Sequence, residues 1–200
     1  MSISPTQAQL IANSIASSDD SSLRTVLETY VLDRQQISRP LDGTADGLHR
    51  FFYRTTDPGV FLVIHVNDDG IAEPKELVAD INVCLLVAGP RHQEVKDLME
   101  PLGFGACSDE VTWNLDGRLT YPGTVSEHID ELLERLGTGM EALAKFIKAG
   151  KMKAWLCVTT QPPSAGIRSN SWVIPASTLS RVCELGAKLN VQFSPVSRER

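Results

Sequence analysis

Apolar residues recur along this chain with two different periods, and the switches between them mark its elements. From Pro5 to about Ala16, Leu10, Ile11 and Ile15 fall at helical spacing, and SSDDSS interrupts them. Asp20 or Ser21 can cap a second helix, in which Leu23, Val26, Leu27, Tyr30 and Val31 form an i, i+3, i+4, i+7, i+8 stripe. Beyond the DGTADG loop, HRFFYRTT and VFLVIHV flank Asp57-Pro58-Gly59, which predicts a β-hairpin over 49–67. NDDG at 67–70 is a turn, and Pro74 is expected in the first turn of a short helix through Leu77, Val78 and Ile81.

A second unit is expected from Val83. VCLLVAG reads as a fully apolar, buried strand, followed by a helix from about His92 to Leu102 that Gly103 stops. VTWNL at 111–115 is a strand. Thr124 and Glu127 form a capping box for a helix with the stripe Ile129, Leu132, Leu133, Leu136. GTG at 137–139 separates it from a second stripe, Met140, Leu143, Ala144 and Ile147, which runs to Gly150. KAWLCVTT at 153–160 is a strand, SWVI at 171–174 is extended, Pro175 to Leu185 is a helix, and LNVQF at 189–193 is a closing strand. Within about 110 residues this order is β-α-β-α(α)-β-(β)-α-β. It predicts an α/β (α+β) fold: a ferredoxin-like open sheet with helices on one face, preceded by an N-terminal helical and β-hairpin extension. The expected division is 1–82, 83–196 and a tail at 197–200.

The pattern from TWNLDGRLTYPGTVSEHIDELLERL through ALAKFIKAG and the strand Trp155 to Val158 to the closing LNVQF resembles the bacterial domain-of-unknown-function family numbered 4279. VCLLVAGPRHQEVKDLMEPLGF would be its opening strand and helix. The resemblance spans about residues 83–196 and implies a small α/β domain with no assigned reaction. By analogy, it brings to mind immunity proteins that neutralise toxins. Residues 1–82 lie outside it.

Charge sharpens this division. The 200 residues are 42% hydrophobic with a net charge of -6. Residues 1–82 hold six Lys and Arg against twelve Asp and Glu, whereas residues 83–200 hold thirteen of each. The acidity therefore lies wholly in the extension, which argues against nucleic-acid binding there, because phosphate contacts need basic side chains. No apolar run is long enough to span a membrane, and MSISPTQAQL has no leader pattern, so a cytoplasmic protein is expected. Cys84, Cys107, Cys157 and Cys183 show no CxxC spacing and read as reduced, mostly buried thiols.

The sequence contains no nucleophile elbow, phosphate loop or helical metal pair, so no catalytic residue, cofactor or metal is expected. His65, near Asp68, Asp69 and Glu73, would be the first place to look for a metal, but its plain reading is a polar residue on the outer face of a hairpin. Glu127, Asp130, Glu131 and Glu134 read as a solvated helix face, and Trp113 and Trp155 as core. The candidate partner-binding residues are Asp68, Asp69, Glu73, Glu76 and Asp80, with Trp172 as an exposed aromatic anchor. In the structural alternative, Asp69 and Glu73 complement the positive end of a helix begun by Pro74. The leading expectation is a non-enzymatic bacterial protein that binds another protein, most concretely a basic toxin domain. The alternative is a small-ligand regulatory or sensory module of ferredoxin-like fold. An enzyme would need a buried cluster of perturbed titratable groups. Oligomeric state is left open.

Overall fold

Strands built on alternating side chains form two sheets, which meet at one residue. The computed structural model describes residues 4–17, 41–45, 48–56, 59–89, 93–107, 111–119, 121–160 and 173–193. The expected helix at 20–31, the extended residues Ser171 and Trp172, and the tail at 197–200 lie outside these residues.

The first sheet is an antiparallel meander of β1 (Leu41–Ala45), β2 (Leu48–Arg54), β3 (Val60–Val66) and β4 (Ala72–Ala79), in that spatial order. The expected hairpin is β2 and β3, paired from His49 opposite Val66 to Arg54 opposite Phe61. Helix α1 (Pro5–Ser17) packs on one face, over Phe51, Tyr53, Leu62, Ile64 and Leu77. Its buried stripe is Ala8, Ala12 and Ala16, not the expected Leu10, Ile11 and Ile15; Ile11 and Ile15 pack at the margin, and Leu10 is 64% exposed. A stripe of methyl groups lets the helix lie close to a sheet already filled by aromatic rings. The Tyr53 hydroxyl donates to Asn13 Oδ1 at 2.8 Å and so ties α1 to β2. Burial pushes this phenol far above its usual range, which keeps it a donor.

The short helix expected at Pro74 is strand β4, and with it goes the expected helix-end role for Asp69 and Glu73. Two features let a proline into this sheet. β4 lies at the end of the strand order, and its pairing with β3 shifts between Val63 opposite Glu76 and Ile64 opposite Pro74. A missing N–H is tolerated on an edge strand beside such a bulge.

Only Asp80 separates β4 from β5 (Ile81–Ala88), the central strand of the second sheet. The chain continues through α2 (Gln93–Met99), a 3-10 turn (Glu100–Leu102), β6 (Gly105–Ala106), β7 (Thr112–Asp116), α3 (Val125–Leu136), α4 (Gly139–Lys148), β8 (Lys153–Thr160), α5 (Ala176–Leu185) and β9 (Lys188–Phe193). The strand order is β6-β7-β5-β8-β9; all neighbours are antiparallel except β8 and β9. The class is mixed α+β, with helices on one face of this sheet. That face joins Val83, Leu85, Val87, Leu115, Leu156 and Val158 to Met99, the Ile129 to Leu136 stripe, Leu143, Val182 and Leu185.

Several local expectations hold closely. Thr124 and Glu127 make the complete capping box. Gly186 ends α5 at φ 80, a left-handed conformation suited to glycine, and its N–H reaches the Val182 and Cys183 carbonyls. Strand β5 departs from the fully buried reading: its even-numbered residues lie half-buried or exposed on the face away from the helices. Trp155, opposite Leu86, also lies half-buried on that face, so it is no part of the helix-covered core; Trp113 is.

The alanine stripe has a direct test. Ala12→Leu should cost about 1–3 kcal/mol by overpacking, whereas Leu10→Ala should change stability by less than about 0.5 kcal/mol. Urea unfolding of both variants distinguishes this stripe from the one first expected.

Candidate functional site

Two places merit description as sites: the acidic tip of the β3–β4 hairpin, and a polar cluster where α3 meets the first sheet.

The hairpin tip is the NDDG turn. Asn67 accepts the backbone N–H groups of Asp69 and Ile71 on its Oδ1, at 3.0 and 2.9 Å, and Gly70 closes the turn at φ 79. An Asn at the first turn position organises the backbone in this way. Asp68, Asp69 and Glu73 are exposed here, and between them Ile71 is 59% exposed. His65 pairs in register with Glu73 but is half-buried, because β3 packs on both faces; it is not the outer-face residue expected. Among the described residues, no group of three or more His, Cys, Asp or Glu side chains could hold a metal ion.

The structure does not gather the whole acidic set. Asp80 lies at the opposite end of β4, roughly 25 Å along the strand from the turn. It acts as a joint: its N–H donates to the Gly59 carbonyl at 2.7 Å, its carbonyl accepts the Thr160 hydroxyl at 3.1 Å, and its Oδ1 accepts the Ile81 N–H at 3.0 Å. Glu76 belongs to β4, but its side chain, like Trp172, lies outside the described residues.

The second place was missed in the sequence. Glu127 Oε2 accepts the Thr124 N–H at 2.7 Å as part of the capping box, and the carboxylate also receives both terminal nitrogens of Arg50 from β2, one of them at 3.3 Å. Arg50 and Phe52 pack on the Tyr121 ring, at 5.7 and 5.4 Å between centres. Tyr121 thereby covers part of the sheet face formed by Phe52, Phe61, Val63 and Val78. Gly123 makes room for this arrangement, since a Cβ there would meet Glu127 Oε2 at 2.9 Å and the Tyr121 ring at 3.0 Å.

The expected solvated face of α3 is therefore a row of half-buried partners. Asp130 accepts from the Thr178 hydroxyl at 2.9 Å and from Arg181 at 2.8 Å; Glu131 accepts the Arg118 N–H at 3.1 Å and pairs with Arg135 at 3.6 Å. Of the four, Glu134 alone is exposed. The only prior signal was Glu127 itself, whose role as a cap was legible and whose long-range partner was not.

Burial works against the Glu127 carboxylate, but the Arg50 and Thr124 donors outweigh it and hold its pKa below the usual range. His128, 4% exposed, has no hydrogen-bond partner for its Nε2 among the described residues. Burial lowers its pKa, against the pull of Asp80, Glu127 and Glu131. The cluster's geometry suits fastening: both Glu127 oxygens are committed to donors. No family model, curated protein or solved structure matches this chain. No helix among the described residues is long and apolar enough to cross a membrane.

Removing the Glu127 carboxylate with Glu127→Ala should cost about 2–3 kcal/mol, between the values for exposed and buried pairs. Gly123→Ala should destabilise in the same direction, by steric displacement of that carboxylate. Both are measurable by denaturant unfolding. Both pKa shifts are downward, so the native state binds fewer protons than the unfolded chain, and stability is lost as pH falls. The loss should begin below about pH 6.5, where unfolded His128 protonates, and deepen below about pH 4.5 as Glu127 is lost. His128→Gln should remove the upper phase from a plot of stability against pH.

Proposed function

We propose that this chain is a non-enzymatic bacterial protein-binding protein, most concretely a cytoplasmic immunity protein that neutralises a toxin by direct contact. The observation that carries the reading is the β3–β4 hairpin tip, where Asp68, Asp69 and Glu73 flank the exposed Ile71 along the chain and are themselves exposed. An apolar centre with a charged rim is the composition of an interaction patch, and its single sign of charge suits a basic partner by steering encounter. The acidic balance of residues 1–82 supports the same polarity. The resemblance of residues 83–196 to family 4279 supports the fold side of the reading. So does the sequence of β5, α2, β6, β7, α3 and β8, whose spatial order β6-β7-β5-β8 is what a ferredoxin-like β-α-β-β-α-β unit requires, with β9 added outside. Free thiols at Cys84, Cys107, Cys157 and Cys183 suit a reducing compartment.

In this reading the acidic tip meets a basic face of the toxin and occludes its active site. Co-purification with the product of the neighbouring gene, followed by calorimetry, tests it; absence of binding would sink it. The triple variant Asp68→Asn, Asp69→Asn, Glu73→Gln should weaken binding at least tenfold, mainly through a slower and less salt-sensitive association rate. Its unfolding midpoint should stay close to that of the parent. Unchanged affinity in this variant would assign the acidity to solubility alone.

A further inference from the structure

The second sheet has two unlike faces. Helices cover one, and on the other β5 and β8 place Cys84 and Cys157 directly opposite each other. Directly opposed residues on antiparallel strands have Cα atoms about 4.5–5.5 Å apart, within the about 4.4–6.8 Å that a disulfide spans. Cys157 Sγ contacts the Trp155 carbonyl at 3.9 Å. Both cysteines are free, Cys84 half-buried and Cys157 buried. Neither belongs to the acidic hairpin or to the Glu127 cluster.

We propose that Cys84 and Cys157 form a reversible cross-strand disulfide by exchange with a small-molecule disulfide such as oxidised glutathione. Cys84, the more accessible sulfur, loses its proton and attacks the small disulfide. This gives a mixed disulfide at Cys84 and releases one small thiolate, which takes up a proton. Cys157 then loses its proton, and its thiolate attacks the Cys84 sulfur, breaks the mixed bond and expels the second small thiolate, which takes up a proton. Two protein thiols are oxidised and one small disulfide is reduced to two thiols, with no further oxidant. Burial, followed by the influence of Cys157 and Asp116, pushes the Cys84 thiol up to about 11. At neutral pH only about one molecule in ten thousand carries the thiolate, so the pair closes slowly and under sustained oxidation rather than as a fast sensor.

The test is incubation of the full chain with oxidised glutathione, then intact-mass measurement and peptide mapping without reduction. The expected product is about 2 Da lighter, holds a Cys84–Cys157 peptide link, and reverts with dithiothreitol. The variant Cys107→Ser, Cys183→Ser should still close this link, and Cys84→Ser should not. The closure rate should rise about tenfold per pH unit between about pH 7 and 9. A map in which Cys84 and Cys157 stay unlinked, or in which links involve only Cys107 and Cys183, overturns the proposal. A rate that does not change with pH overturns the part assigned to Cys84 as the attacking thiol.

Discussion

A single residue, Asp80, carries the chain from one sheet into the other, and most of the architecture follows from that. β4 ends at Ala79 and β5 begins at Ile81, so no linker exists to absorb a mismatch between the sheets. The joint is fixed by hydrogen bonds to Gly59 and Thr160, which belong to the β2–β3 turn and the end of β8. Two sheets joined this closely must also agree at a distance. The Arg50–Glu127 contact, between residues 77 apart in sequence, provides that agreement. Tyr121 fills the space beside it with an aromatic ring.

Glu127 therefore answers two demands with one carboxylate. A helix start leaves N–H groups without partners, and a capping box satisfies some of them. Here the same oxygens neutralise an arginine on the neighbouring sheet, so the start of α3 is fixed in position as well as in conformation. The buried His128 next to it makes this region sensitive to acid, since protonation there places a second cation where solvent is scarce.

Local signals in the sequence were legible, and long-range ones were not. The capping box, the Gly186 helix stop, the NDDG turn and strand β8 each depend on residues within a few positions of one another, and each was found. Where a distant neighbour decides the outcome, structure and sequence pattern part ways. Leu10 looked like core because leucine is the greasier residue, yet the aromatic face of the sheet leaves room only for the methyls of Ala8, Ala12 and Ala16. Pro74 looked like a helix start because the position of β4 at the sheet edge is a property of the whole meander. Asp130 and Glu131 looked solvated because Arg181 and the Arg118 backbone are invisible to a helical wheel. For the acidic set, the NDDG turn is legible, but a helix and not a strand is expected after it, and only the course of β4 separates Asp80 from that turn.

The proline in β4 also bears on how this protein behaves in a crowded cell. A strand at the rim of a sheet presents backbone groups on which another chain can stack, and repetition of that event builds fibrils. Pro74 removes one donor from the rim, and the shift beside it breaks the even spacing that stacking needs. The same strand continues from the hairpin where Asp68 and Asp69 repel their own kind. Charge at the tip and irregularity along the rim thus guard one eight-residue segment against templated self-association.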